Sequence, residues 1–218
     1  MIKPKGLILA LDINEKTRLL DVAQATASFV AAFKVGNLAL YQHGWSLISE
    51  LKQRVGIPVI ADLKLMEVPF MAENIARSAH AAEADGIMIC GASGLDTLGF
   101  CRAAFPGLLF IVTQFTHCRD VISDHDADSI VEAALKLGCD GVQVPGTFPD
   151  RISAVRERVR TKLKIVACGI GRQGPTVGSA IQHGADYEIV GRAIYDVETP
   201  QAASLIAQKL SNEVNGLA

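Results

Sequence analysis

The chain has 218 residues, half of them apolar, enough for one well-cored domain and short for two. Its net charge of −2 offers neither a broad basic surface for nucleic acid nor a polybasic patch for a membrane. No run reaches the ~18 consecutive apolar residues of a membrane span, and five cysteines without a CxxC pair or a zinc-like spacing from histidine predict reduced thiols in the cytoplasm.

The start, MIKPKGLILALD, is basic and then apolar, but the apolar run is short, ends in Asp12 and lacks a small-residue cleavage site. It predicts a buried strand and not a signal peptide. From there, one alternation repeats to the end of the chain. Runs rich in Val, Ile and Leu predict strands at 6–12, 30–36, 58–64, 85–90, 108–113, 140–145, 164–169 and 187–191. Between them, apolar residues at helical spacing predict one helix over Leu38–Val55, another over Ala72–Ala82 and a third over Asp128–Leu137. Gly138 and Gly184 stand where helices should close. Cys90 and Cys139 lie at apolar strands and read as core packing.

Near-continuous apolar strands are buried on both faces, as in parallel sheets covered by helices. Eight such units in a little over 200 residues predict an α/β fold, a closed (β/α)₈ TIM barrel, with residues 1–218 as a single domain. An open doubly wound sheet is the competing architecture.

In a barrel, chemistry sits at the C-terminal ends of the strands. Charged residues end otherwise apolar strands here: Asp12 the first, Lys34 the second, Asp62 and Lys64 the third, with Glu67 directly after. All five are expected to meet at one mouth. Asp62 and Lys64 are two apart and so point the same way. Facing the helices, they would put two charges in an apolar layer, which is costly unless each is paired. The inward orientation is therefore preferred, either as a reactive site or as an ion network capping the barrel.

A second signal is glycine-rich. ACGIGRQGP (167–175) follows the seventh strand and VGRAIY (190–195) the eighth. Backbone amides at Gly169, Gly171, Gly174 and Gly191 are expected to approach an anion, and Arg192 offers a planar fork for phosphate oxygens. Neither loop has the spacing of a Walker or dinucleotide motif, which argues against a nucleoside triphosphate or NAD. His43, His80, His125 and His183 read as solvated, and His117 is the histidine placed nearest the mouth.

These blocks resemble a known family. IADLKLMEVP resembles the Asp-x-Lys-x-x-Asp signature of the orotidine 5′-monophosphate decarboxylases, and LALDI, FKVGNLAL, GIGRQG and VGRAIY resemble further blocks of that family in order. The resemblance runs from the first strand to the last. It implies decarboxylation of orotidine 5′-monophosphate to uridine 5′-monophosphate and CO₂ by a homodimer with shared sites, without metal or cofactor. It implies that Asp12 and Lys34 bond the ribose, that Asp62 sits beside the substrate carboxylate, and that Lys64 delivers a proton to C6. It implies further that Thr116 contacts the pyrimidine, that Gln173 links pyrimidine and phosphate, and that Arg192 binds the phosphate.

Three positions depart from the family pattern: Glu67 replaces the last Asp of the signature, Met71 a threonine, and Cys168 a proline. In the family the residue at the Glu67 position reaches into the neighbouring subunit's site. Two other readings remain at this point. The Mg²⁺-dependent 3-keto-L-gulonate 6-phosphate decarboxylases and hexulose-phosphate synthases share the signature, but carry an acidic residue where this chain has Lys34. A non-catalytic nucleotide-binding barrel is the alternative of another class.

Overall fold

The computed structural model describes residues 6–117, 121–172 and 174–217. Eight strands close a parallel barrel: β1 (Gly6–Ala10), β2 (Ala32–Gly36), β3 (Val59–Leu65), β4 (Gly86–Cys90), β5 (Leu108–Val112), β6 (Gly141–Pro145), β7 (Lys164–Cys168) and β8 (Tyr187–Val190). Ile8 registers with Ala32 of β2 on one side and with Ile189 of β8 on the other, so β1 closes the ring. The strands match the expected runs, apart from a residue or two at their ends. Asp12, for example, lies just past β1, although Leu11 N–H still bonds Lys34 O at 2.9 Å.

The alternation of each strand builds two cores. Inward residues such as Ile8, Ile60, Met88, Phe110, Val166 and Tyr187 fill the barrel. Outward residues such as Leu9, Phe33, Ala61, Ile87, Ile111 and Val142 pack under the helices. Both sets are buried, which is why the strands read as continuous apolar runs.

The helices are α1 (Lys16–Thr26), α2 (Asn37–His43), α3 (Ser46–Val55), α4 (Pro69–Ala81), α5 (Leu95–Ala104), α6 (Asp124–Lys136), α7 (Pro149–Val159), α8 (Ser179–Gln182), α9 (Arg192–Tyr195) and α10 (Pro200–Asn215). The single helix expected over 38–55 is in fact two. Gly44 breaks it at φ 72°, with its N–H bonded to Leu40 O at 2.8 Å. Only glycine takes that backbone without a Cβ penalty, and the apolar periodicity on either side masked the break. The helix expected at 72–82 starts at Pro69, whose fixed φ suits the first turn. The helix expected at 128–137 starts at Asp124, where Ser123 and Asp126 form a reciprocal capping box.

One outward residue of β8 is not apolar. Glu188 is fully buried and accepts from the amides of Gly178 (2.7 Å), Ala180 (2.8 Å) and Ile181 (3.3 Å), pinning α8 to the barrel. Burial pushes its carboxyl up, while the three amides draw it back down. Glu188→Gln places an NH₂ against an amide N–H, so one donor loses its acceptor. Urea denaturation is expected to show a loss of about 1–3 kcal/mol, the range for an unsatisfied buried polar group. An unchanged midpoint would mean that these amides need no acceptor.

Candidate active site

The polar residues at the barrel mouth are aimed by an irregularity in β3. Asp62 registers with Met88, but the next partner of Ile89 is Leu65, so Leu63 and Lys64 are extra residues. Lys64 takes φ 42°, in the left-handed region. Inserting two residues preserves the alternation: Leu63 and Leu65 both join the outer core, while Lys64 turns inward with Asp62. The two side chains do share one side, as their spacing suggests, but through a bulge and not a regular strand.

Four of the five expected charges form a chain of alternating sign. Asp62 Oδ2 accepts from Lys64 Nζ and from Lys34 Nζ, the latter at 2.9 Å, and Lys34 Nζ lies 3.4 Å from Asp12 Oδ1. Two cations thus face two carboxylates, which makes their burial tolerable. Burial alone would push the Asp62 carboxyl up, but Lys34 and Lys64 outweigh it and hold the group below the ordinary carboxylate range. Burial likewise opposes the charge on Lys34, yet Asp62 and then Asp12 raise its ammonium above the usual lysine range. The two lysines differ in access. The Lys34 side chain is 8% exposed and the Lys64 side chain 38%, so Lys64 is the cation open to a ligand.

Glu67 does not join them. It is exposed, its carboxylate accepts from the amide of Val68 at 3.1 Å, and its carbonyl accepts from Thr97 Oγ1. Within the chain it stands apart from the cavity that the other four line.

That cavity holds about 200 Å³. Across from the charges it is lined by Thr116, Gly169, Gly191 and Arg192. Gly169 sits at φ 77°, and a Cβ there would come within 2.6 Å of Thr116 Cγ2, so glycine lets the β7 loop lie against Thr116. The Arg192 guanidinium makes no ion pair or hydrogen bond among the described residues and is left available. The amides of the other two glycines have partners within the loop. Gly171 N–H is taken by Pro175 O at 2.8 Å, and Gly174 N–H is directed to Gly171 O at 3.2 Å. Both amides close the loop on itself. Gln173 lies outside the described residues. His117 is not among the lining residues and stacks loosely with Phe115.

The cavity also has walls the sequence reading did not assign to it: Gln143, Cys168, Arg172 and Tyr195. Arg172 pairs with Asp196 at 2.5 Å, tying the loops after β7 and β8 together. Tyr195 Oη donates to Asp12 O at 3.2 Å. Burial pushes the Cys168 thiol up to about 12, so it stays protonated and is a poor nucleophile. Gln143 had a findable signal. It is the only polar side chain in β6, GVQVP, and like Asp62 it interrupts an otherwise apolar strand.

Chemically, the site offers a semi-exposed ammonium fixed on a buried carboxylate at one end and an unpaired guanidinium at the other. The first can stabilise and then protonate a developing carbanion. The second can hold a phosphate.

Comparison with known proteins agrees with this layout. Residues 5–205 match the family described as orotidine 5′-phosphate decarboxylase / HUMPS. The chain is 37% identical to the orotidine 5′-phosphate decarboxylase of Thermococcus kodakarensis over 210 residues, covering 95% of this chain and 96% of that protein. It is 35% identical to that of Pyrococcus abyssi, covering 96% and 99%. Among solved structures, it resembles orotidine 5′-phosphate decarboxylase from Pyrococcus horikoshii with a TM-score of 0.86 at 33% identity, covering 96% and 99%. It also resembles the enzyme from Methanocaldococcus jannaschii complexed with the inhibitor BMP, with a TM-score of 0.88 at 30% identity, covering 98% and 100%.

Proposed function

The chain belongs to the orotidine 5′-phosphate decarboxylase / HUMPS family, and from that premise we propose that it converts orotidine 5′-monophosphate to uridine 5′-monophosphate and CO₂ as a step of pyrimidine synthesis. The observation that carries this reading is the Lys64 ammonium, turned into the cavity by the β3 bulge and held on Asp62. When the C6–carboxyl bond breaks, its electron pair stays on C6, where the pyrimidine ring delocalises it poorly. The Lys64 ammonium supplies a fixed counter-charge and then gives its proton to C6. Solvent reprotonates the lysine. Arg192 and Gly191 grip the phosphate, and Asp12 and Lys34 hold the ribose. Thr116 faces the pyrimidine, with Gly169 and the adjoining loop that carries Gly171 and Gln173 closing over the nucleotide. Binding energy from the phosphate positions the ring for reaction.

Lys34 also bears on the metal-dependent branch of the superfamily. Its ammonium sits between the Asp62 and Asp12 carboxylates, where it opposes a divalent cation. Turnover of orotidine 5′-monophosphate, measured with a chelator present, tests the reading. Undiminished turnover is expected. Binding of uridine 5′-monophosphate without any turnover would identify a non-catalytic barrel instead.

We read the working unit as a cytoplasmic homodimer with shared sites. In support, Met66, Val68 and Phe70 are 66%, 61% and 71% exposed around Glu67, with Met71 and Phe100 exposed beside them. Exposed apolar groups at this density mark an interaction surface. On this reading Glu67 reaches the partner's charge chain on a stem one methylene longer than aspartate. Misplacement of ~1 Å can change a rate about a hundredfold. Glu67→Asp is therefore expected to preserve or raise kcat, and Glu67→Gln to lower it. Equal kcat/KM values for all three proteins would reject a catalytic role for this side chain.

A further inference from the structure

Gln143 is 2% exposed and points into the barrel from β6. Its register partners Val112 and Val166 are apolar members of the interior core. Its main-chain carbonyl is occupied by Thr113, through both the backbone N–H (3.1 Å) and Oγ1 (2.8 Å). The side-chain amide is different: it makes no hydrogen bond among the described residues, yet it lines the same cavity as Asp62 and Lys64. A nearly buried amide that meets only the cavity and has no protein partner is poorly satisfied, at a cost. A ligand that satisfies it recovers that cost.

Depth in the barrel indicates which part of a ligand it meets. Gly169 and Arg192 follow the ends of β7 and β8, at the rim. Gln143 registers with Val166, two residues before the end of β7, and so lies deeper. A nucleotide anchored at the rim by its phosphate therefore presents its base at the depth of Gln143, and the shared cavity wall with Asp62 and Lys64 directs the C6 side of that base toward it. We propose that Gln143 is a substrate-contacting residue whose amide N–H donates to the carboxylate of orotidine 5′-monophosphate and thereby distinguishes substrate from product. This rests on the function proposed above. The substrate carboxylate must sit close to the negative charge of Asp62, and it needs donors to do so. Lys64 is one and the Gln143 amide is a second. As the carboxylate becomes neutral CO₂ the acceptor weakens, so the bond favours the bound substrate over the transition state.

Two variants test this. Gln143→Met keeps the length of the side chain and removes the amide, and Gln143→Val shortens it. For both, KM for orotidine 5′-monophosphate is expected to rise about tenfold, the lower end for a hydrogen bond to a charged group. The inhibition constant of uridine 5′-monophosphate, which lacks the carboxylate, should stay within about twofold of wild type, and kcat should hold or rise. Parallel weakening of both nucleotides, no change in KM, or a fall in kcat with KM unchanged would each overturn the assignment. Absence of turnover in the wild-type protein would instead remove the proposed function. The two failures are therefore separable.

Discussion

Lys64→Ala is expected to reduce turnover of orotidine 5′-monophosphate by about ten-thousandfold or more, while uridine 5′-monophosphate still binds. The size follows from removing two contributions at once. A preorganised charge at the reacting centre is worth about 10²–10³ in rate, and a positioned proton donor about 10²–10⁴. Among the described residues, no neighbouring group is placed to substitute. Lys34 is bonded to both Asp62 and Asp12 and its side chain is 8% exposed, and the Cys168 thiol, pushed up to about 12, is a weak acid. The phosphate end of the cavity is untouched by the change, so product affinity should persist. Single-turnover kinetics with titration of product measures both. Near-normal turnover would mean that the proton comes from elsewhere.

Arg192→Ala has the second largest expected effect. Its guanidinium has no partner among the described residues, so its charge is free for the phosphate of the proposed substrate. Losing a hydrogen bond to a charged group costs about 1.5–3 kcal/mol, or roughly tenfold to somewhat over a hundredfold in kcat/KM. Orotidine without its phosphate should be almost unaffected by the same substitution. If nucleoside and nucleotide suffered equally, Arg192 would serve the fold or the ring and not the phosphate. Arg172, paired with Asp196 across the same two loops, is not expected to replace it.

Most of the architecture was legible from residue order alone. A parallel barrel buries both faces of every strand, so GIMIC or LLFIV announces itself by composition. Charges are too costly to stand in such strands without a reason, which is how Asp12, Lys34, Asp62 and Lys64 were found. The misses share a different physics. The break at Gly44 is a matter of backbone dihedral, and the apolar periodicity continues across it. The β3 bulge depends on register with β4, which no property of β3 alone encodes. The amides of Gly171 and Gly174 turn back into their own loop, a shape the sequence does not specify because glycine permits many. Gln143 carries no charge and so gives a weaker signal than Asp62, although a buried neutral amide also needs a partner.

The left-handed backbone at Lys64 bears on how this protein can change over generations. A non-glycine residue in that conformation is held there at a cost of about 1–3 kcal/mol, supplied by the packing around it. Glycine at this position would relieve the strain and abolish the ammonium in the same step. Selection for a sturdier fold and selection for a working enzyme therefore pull position 64 in opposite directions. Glycine at Glu83 or Arg160, which share this positive φ, would relieve strain and leave the cavity charges in place, whereas in a library screened for thermal tolerance alone the same change at position 64 would yield robust barrels that have lost their chemistry.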